Sequence, residues 1–226
     1  MLSKLKVNET ARALVSFTDS YTQNKQRKQN EQPESESIPS ITKICSSLQF
    51  LRNQILENDT LKQVIQIPKL LKSITTLSLY KIGIHIGQEL DQMRFEIRSW
   101  STDCLSWIRY LGDEQDQSEL VNNGYGRVTS ISFSTAGGKG EEQDDEISNQ
   151  LCRIYHFLRA LHYGNTYQPY FQPLPLLVRN TEEQMEEEGA DEELDAQMNN
   201  NKNRWSIRNW ANRAKTMTLN CFIRRG

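Results

Sequence analysis

Residues 86–111 read IGQELDQMRFEIRSWSTDCLSWIRYL, and the spacing of their large apolar side chains decides the fold. These side chains recur at steps of four and three, at Ile86, Leu90, Met93, Ile97, Trp100, Cys104, Trp107 and Leu111. Such steps keep side chains on one face of an α-helix. We therefore predict a helix of about seven turns that packs this face against other helices. Its solvated face is expected to carry Glu89, Asp91, Arg94, Glu96 and Arg98.

The same rhythm returns further along the chain, at Ile147, Leu151, Ile154, Leu158 and Leu161. Two such seams are typical of helices that pack in pairs. They predict an all-α fold, either an antiparallel helical bundle or a short armadillo-like helical stack with long disordered loops. We expect about five or six helices in total.

Composition along the chain separates helical from polar segments. The predicted helical parts are an N-terminal helix over residues 1–22, a helical core over residues 40–112, a repeat-like unit over residues 145–180 and a basic, tryptophan-containing helix over residues 204–226. The predicted loops are a flexible linker over residues 23–39, a mobile Gly-rich and acidic loop over residues 113–144 and an acidic disordered loop over residues 181–203. Polar, low-complexity sequence buries too little apolar surface to offset the conformational entropy that is lost on ordering.

Bulk properties exclude several classes of protein. The net charge of -2 provides no global field that would attract nucleic acid or an anionic membrane. No stretch approaches the roughly 20 apolar residues of a membrane span. The four cysteines, Cys45, Cys104, Cys152 and Cys221, form no CxxC pair. Reduced thiols are expected, which suits an intracellular protein of the cytoplasm or nucleus.

Motifs for catalysis, cofactors and metals are weak. Cys152 and His156 have i, i+4 spacing, but no second pair completes a zinc site. Residues 137–140, GGKG, depart from the phosphate-binding pattern G-x-x-x-x-G-K-[ST] and are interpreted as a linker. There is no G-x-S-x-G nucleophile motif. We expect a protein that is not an enzyme and holds no cofactor or metal.

The C-terminal segment is the best candidate for binding. Residues 202–225 contain seven Lys or Arg residues and no acid, interleaved with tryptophan. Such a helix could stack on bases and hold phosphates, although a core or partner-facing helix is favoured. The nine carboxylates of residues 181–195 could fold back and screen it. The candidate partner-binding residues are Trp205, Arg208, Trp210, Arg213 and Lys215.

Residues 145–178 read DEISNQLCRIYHFLRALHYGNTYQPYFQPLPLLV. An apolar helix leads into Gly164-Asn165, and a segment with three prolines follows, expected to pack as an extended piece before a short helix from Leu174. The stretch resembles an armadillo-type helical repeat. It is also similar to the helical repeat domains of the inositol trisphosphate and ryanodine receptor family.

The sequence favours a protein–protein interaction or scaffold module that is a subunit or segment of a larger assembly and binds a protein partner. The family resemblance implies an alternative, a regulatory cytosolic segment of an intracellular calcium-release channel. A third hypothesis is a nucleic-acid-associated nuclear factor that uses the basic C-terminal segment.

Overall fold

The computed structural model describes residues 2–27, 37–134, 144–199 and 205–223. Every regular element within these residues is an α-helix, which confirms the predicted all-α class. The helices are α1 (Leu2–Arg27), α2 (Ile38–Leu56), α3 (Asn58–Gln66), α4 (Leu70–Leu77), α5 (Gln88–Leu111), α6 (Glu114–Asn122), α7 (Tyr125–Phe133), α8 (Asp144–Tyr163), α9 (Pro175–Glu187), α10 (Ala190–Asn199) and α11 (Trp205–Ile223). The described residues thus hold more helices than the five or six predicted.

The chain divides into two compact units, Met1–Gly112 and Asp113–Gly226. In the first unit α5 packs chiefly on α2, and α4 packs on both α1 and α5. The apolar residues of these helices form its core, which includes the fully buried Leu14, Leu48, Leu51, Ile55, Leu70, Ile74, Ile97 and Leu105. Of the predicted α5 seam, this core contains Ile97 and Cys104.

The buried face of α5 is rotated from the predicted one. Ile97 and Cys104 are buried as expected, but the remaining buried positions are Arg94, Ser101, Thr102, Leu105 and Ile108. Trp100 and Trp107 are only half-buried. The Arg52 guanidinium lies 5.7 Å from the centroid of the Trp107 ring, a cation–π distance. Ile86 precedes the helix and is 63% exposed.

Arg94 is buried, so its assignment to the solvated face was wrong. Its side chain is only 1% exposed, and Nη1 donates a hydrogen bond to the Ile84 carbonyl at 3.2 Å. Asp91 Oδ1 lies 3.5 Å from the same nitrogen. The segment before α5 thus supplies a carbonyl and α5 supplies a carboxylate, which together compensate for the loss of water around the guanidinium.

We expect Arg94→Ala to lower the free energy of unfolding of the first unit by about 3 kcal/mol, because it removes one partner of a buried ionic contact and leaves a cavity. Urea denaturation followed by circular dichroism measures this change. Arg12→Ala, at an exposed position of the same unit, should cost less than about 0.5 kcal/mol. Equal losses for the two variants would contradict the prediction.

Residues 113–134, predicted as part of a mobile loop, instead form α6 and α7. Asp113 starts α6 with a capping box: its Oδ1 accepts from the Asp116 N–H at 3.2 Å, and its own N–H donates to Asp116 Oδ2 at 2.9 Å. In α7 the hydroxyls of Thr129 and Ser130 donate to carbonyls four residues earlier. These hydrogen bonds allow polar side chains to be buried within the helix. A prediction from the spacing of apolar residues therefore did not detect α7. Residues 135–143, with the GGKG stretch, lie outside the described residues.

The acidic segment predicted as disordered is also helical up to residue 199. α9 continues to Glu187, Gly189 reverses the chain at φ +67°, and α10 follows. Both helices keep an apolar face, with Met185, Ala190 and Leu194 buried. Carboxylates in the first turn of α10 are favoured by the helix dipole. Part of the linker predicted over residues 23–39 is also helical, since residues 23–27 belong to α1. Residues 28–36 and 200–204 lie outside the described residues.

The second unit is organised around α8, which packs on α7, α9 and α11. All five residues of its predicted seam are buried. α7 and α9 meet closely at Gly126, where an added Cβ would lie 2.9 Å from Thr181 Cγ2 and 3.1 Å from the Thr181 carbonyl oxygen. The absence of a side chain at Gly126 sets the separation of these helices.

Candidate functional site

α11 carries the five residues predicted to bind a partner. It packs on α8 and α10 and buries Ile207, Ala211 and Ala214. The two alanines allow the backbones to approach closely. Trp205 begins the helix, but its side chain lies outside the described residues. The other four candidate side chains have different environments.

Trp210 and Arg213 form an aromatic and basic cluster with α8. The Trp210 ring is half-buried, with its centroid 5.6 Å from that of Tyr155 and 5.7 Å from that of His156. Arg213 is exposed, and its Cζ lies 5.0 Å from the Trp210 centroid and 5.7 Å from the Tyr155 centroid. These are cation–π distances. A guanidinium that packs on rings in this way keeps N–H donors for a further ligand.

Lys215 instead fixes α11 to α10. Its Nζ lies 3.3 Å from both Asp191 Oδ1 and Asp195 Oδ2, and its side chain is 16% exposed. Burial alone would lower the pKa of this amine, but the hydrogen bonds and charges of Asp195 and Asp191 outweigh burial and raise the pKa. The acidic segment therefore neutralises the charge of this lysine, as the sequence suggested for the basic helix. Lys215 is thus already in ion pairs within the second unit.

Arg208 lies on a different side of α11 from Arg213. Five residues separate them, which is a rotation of about 140° around the helix axis. Arg208 is exposed and lines an open groove of about 430 Å³ with Met198, Asn199, Asn209 and Asn212. The four predicted residues whose side chains the structure describes thus do not form one continuous surface.

The chain reverses direction after α8 and forms a surface that was not predicted from the sequence. Gly164 has φ +75°, and the backbones of Asn165 and Phe171 exchange two hydrogen bonds of 2.8 and 3.2 Å. Asn165 Nδ2 donates to the Pro169 carbonyl at 3.0 Å, and its Oδ1 accepts from the Tyr167 N–H at 3.2 Å. Phe171 is buried and holds the reversal on the core. The backbone here is fixed by its own hydrogen bonds.

Four large side chains on this reversal and on the helix ends beside it are exposed to solvent, and we call them the corner surface. Their exposed fractions are 49% for Tyr163, 81% for Tyr167, 58% for Tyr170 and 75% for Leu176. Residues 163–178 contain no charged side chain, in a chain in which 25% of residues are charged. Single exposed apolar residues are ordinary, whereas a concentration of them without charge is a feature found at interaction surfaces.

The outer face of α8 connects the corner surface to the cluster on α11. His156, Arg159 and Tyr163 follow one another at steps of three and four, so they lie on the same helix face. Arg159 is exposed, and His156 contacts Trp210. One side of the second unit thus runs from Arg213 and Trp210 along α8 to the corner surface.

The signal that could have identified the corner surface is its composition. Residues 163–178 are rich in Tyr, Pro and Gln and lack charge, and the segment was expected to pack rather than be exposed. α9 begins at Pro175, close to the expected start at Leu174, but only Phe171 and Val178 of this segment are buried. The helices on both sides of this segment could be predicted from the sequence, but its exposed side chains were not.

Titratable groups in the described residues form no group of three or more His, Cys, Asp or Glu side chains that could hold a metal ion. Cys45 and Cys104 are free thiols, and Cys152 is not in a disulfide bond. Burial, and then the charge of Glu96, raise the pKa of Cys45 from 9.0 to about 11. Burial also raises the pKa of Cys104. At neutral pH these two thiols are protonated, which disfavours nucleophilic chemistry.

Within the part of the chain that the structure describes, no helix is both long enough and apolar enough to cross a bilayer. Comparisons with protein-family models, with curated proteins and with solved structures found no match to this chain. A functional proposal must therefore be based on the geometry of the chain itself.

Alkylation of Cys45 should be slow at neutral pH, because a pKa of about 11 leaves about one thiol in a thousand ionised at pH 8. The rate should increase about tenfold per pH unit up to pH 11 while the protein stays folded. Mass spectrometry of the iodoacetamide-modified peptide measures this rate separately from the other thiols. A midpoint near pH 9, as for an exposed thiol, would contradict the assigned environment.

We expect Gly164→Ala to destabilise the second unit by about 2 kcal/mol or more, because a side chain is strained at φ +75°. The added Cβ would also lie 2.5 Å from the Phe171 carbonyl oxygen. Urea denaturation measures the loss, and faster chymotrypsin cleavage next to Tyr167 or Tyr170 would show that the reversal has loosened.

Gly87→Ala is the matched control, because φ there is 172° and nothing lies within 4 Å of an added Cβ. It should leave both measurements nearly unchanged. A Gly164→Ala protein as stable as this control would show that the reversal does not depend on glycine.

Proposed function

We propose that this chain is a helical protein–protein interaction module, a subunit or segment of a larger assembly, and that its second unit binds a protein partner through the corner surface. The observation that carries this proposal is the exposure of Tyr163, Tyr167, Tyr170 and Leu176 on a backbone that hydrogen bonds hold in place. Burial of these side chains by a partner would remove apolar surface from water, at about 25 cal/mol per Å².

The fixed backbone supports this proposal. A surface that is ordered before binding loses less conformational entropy when a partner docks. Asn165 and Phe171 hold the reversal through backbone hydrogen bonds, and Leu174 donates a further one to the Leu161 carbonyl at 2.8 Å. Tyrosine is also enriched in the cores of protein interfaces, since it combines a large apolar ring with a polar hydroxyl.

The free thiols support an intracellular setting, cytoplasmic or nuclear, as part of the proposal. The nucleic-acid alternative has weaker support. Lys215 is paired with two aspartates, and Arg208 and Arg213 lie on different sides of α11. The resemblance of residues 145–178 to armadillo repeats and to calcium-release channels stays a prediction.

Replacement of the corner surface tests the proposal. We expect Tyr167→Ser, Tyr170→Ser and Leu176→Ser, combined in one protein, to abolish a native complex while leaving the fold intact, because these side chains are exposed. The protein is tagged at its own locus, and the cell extract is analysed by size-exclusion chromatography. The unaltered protein should elute well above its mass of 26.3 kDa, and the variant should elute as a monomer.

A matched control replaces three exposed side chains of the first unit, Ile84, Ile86 and Tyr110, with serine. This control should keep the native complex. Circular dichroism and thermal unfolding of both purified variants check that they are folded. A folded corner variant that still elutes in the complex, or an unaltered protein that elutes as a monomer, would overturn the proposal.

A further inference from the structure

We propose that the partner contributes an acidic peptide segment, which binds along the face of α8 and α11 next to the corner surface. This inference rests on the proposed function and specifies the chemistry of the partner. The face, which we call the basic strip, consists of His156, Arg159, Trp210 and Arg213. It carries two exposed arginines and one half-buried tryptophan.

The arginines of the basic strip, like Arg208, differ from the paired cations of the second unit. Arg127, Arg153, Arg179 and Lys215 each form an ion pair with a carboxylate. Among the described residues, neither Arg159 nor Arg213 has a carboxylate within 4 Å, and both are exposed. Two exposed cations therefore lie on the same side of the unit as the corner surface, without an internal counter-ion in the described part of the chain.

The position of Arg213 suits a carboxylate. Its guanidinium packs on the rings of Trp210 and Tyr155, which restricts the side chain before binding. A guanidinium forms paired, nearly parallel hydrogen bonds with a carboxylate through its N–H edge, and aromatic packing on its face leaves that edge available. Arg159 lies on α8 between His156 and Tyr163 and offers a second such contact.

The spacing indicates a peptide that is both acidic and apolar. Arg159 and Tyr163 are four residues apart, about 6 Å along the axis of α8. A peptide that places carboxylates against Arg159 and Arg213 would therefore bring adjacent apolar residues to Trp210 and to the corner surface. Charge would set its orientation, and apolar burial would supply most of the affinity.

A nucleic acid fits this surface less well. Binding to a phosphate backbone commonly uses about six to ten basic contacts, and the basic strip offers two arginines. Exposed carboxylates of α9 and α10, among them Glu186 and Glu192, belong to the same unit and repel a polyanion. A short acidic peptide has few charges and avoids most of this repulsion.

Fluorescence anisotropy with the full chain tests the chemistry. The probe is a fluorescein-labelled peptide that alternates glutamate with leucine and phenylalanine, and its control has glutamine in place of each glutamate. We expect the acidic peptide to bind at least about tenfold more tightly, and Arg159→Glu with Arg213→Glu to remove this preference. Equal affinity for the two peptides, or a preference that the double variant retains, would overturn the inference.

Arg208→Glu is the control, because it makes the same replacement once, with half the charge change of the double variant, at an exposed position on another side of α11. It should change the affinity for the acidic peptide by less than about twofold. A larger effect would show that charge at any place on the unit matters, and would overturn the assignment to the basic strip.

Two further measurements distinguish other occupants. A single-stranded oligonucleotide that binds more tightly than the peptide, and loses affinity in the double variant, would replace the inference with nucleic-acid binding. A dimer of the purified chain that the double variant dissociates would replace it with a second copy.

The native complex separates this inference from the proposed function. Loss of the complex in the Arg159→Glu, Arg213→Glu protein and in the corner variant supports both. Loss in the corner variant alone overturns the acidic partner and leaves the proposed function in place. A complex that persists in both folded variants overturns both.

Discussion

The left-handed backbone at Gly164 is the constraint on which the candidate site depends. It turns the chain sharply after α8, so that Asn165 and Phe171 face each other and exchange hydrogen bonds. Phe171 can then enter the core while Tyr167 and Tyr170, which precede it, remain in solvent. Without this turn the apolar residues of the segment would be free to bury one another. The exposure of the corner surface is thus a property of the backbone and not only of composition.

The helical class and the α8 seam could be predicted, because their apolar spacing is regular. The number of helices could not be predicted, because α6 and α10 are short and polar and α7 is short and mixes apolar side chains with hydroxyls. α7 buries hydroxyls such as those of Thr129 and Ser130, which satisfy their hydrogen bonds within the helix. The spacing of apolar residues does not show that these hydroxyls have hydrogen-bond acceptors within their own helix. The rotation of the α5 face has a similar origin, since Arg94 is buried by hydrogen bonding to a carbonyl that precedes the helix.

The candidate site was predicted only in part. Residue types suggested that the tryptophans and arginines of α11 act together, and Trp210 and Arg213 do lie in one cluster. Lys215 has another environment, since its ion pairs depend on where α10 packs. Arg208 lies on another side of α11, as its five-residue spacing from Arg213 requires. The corner surface could not be predicted from spacing at all. Whether a tyrosine in an irregular segment is buried depends on which neighbour, here Phe171, occupies the core.

The size of the residue at position 126 affects whether related proteins can keep the corner surface. It contacts Thr181 and Gln184 on α9, the helix whose first turn carries Leu176. Even a methyl group at position 126 would push α9 away and change the position of Leu176 relative to the tyrosines. Proteins descended from the same ancestor that still use the surface should therefore have kept glycine at this distant position, whereas lineages that have abandoned it would be free to accumulate larger residues there.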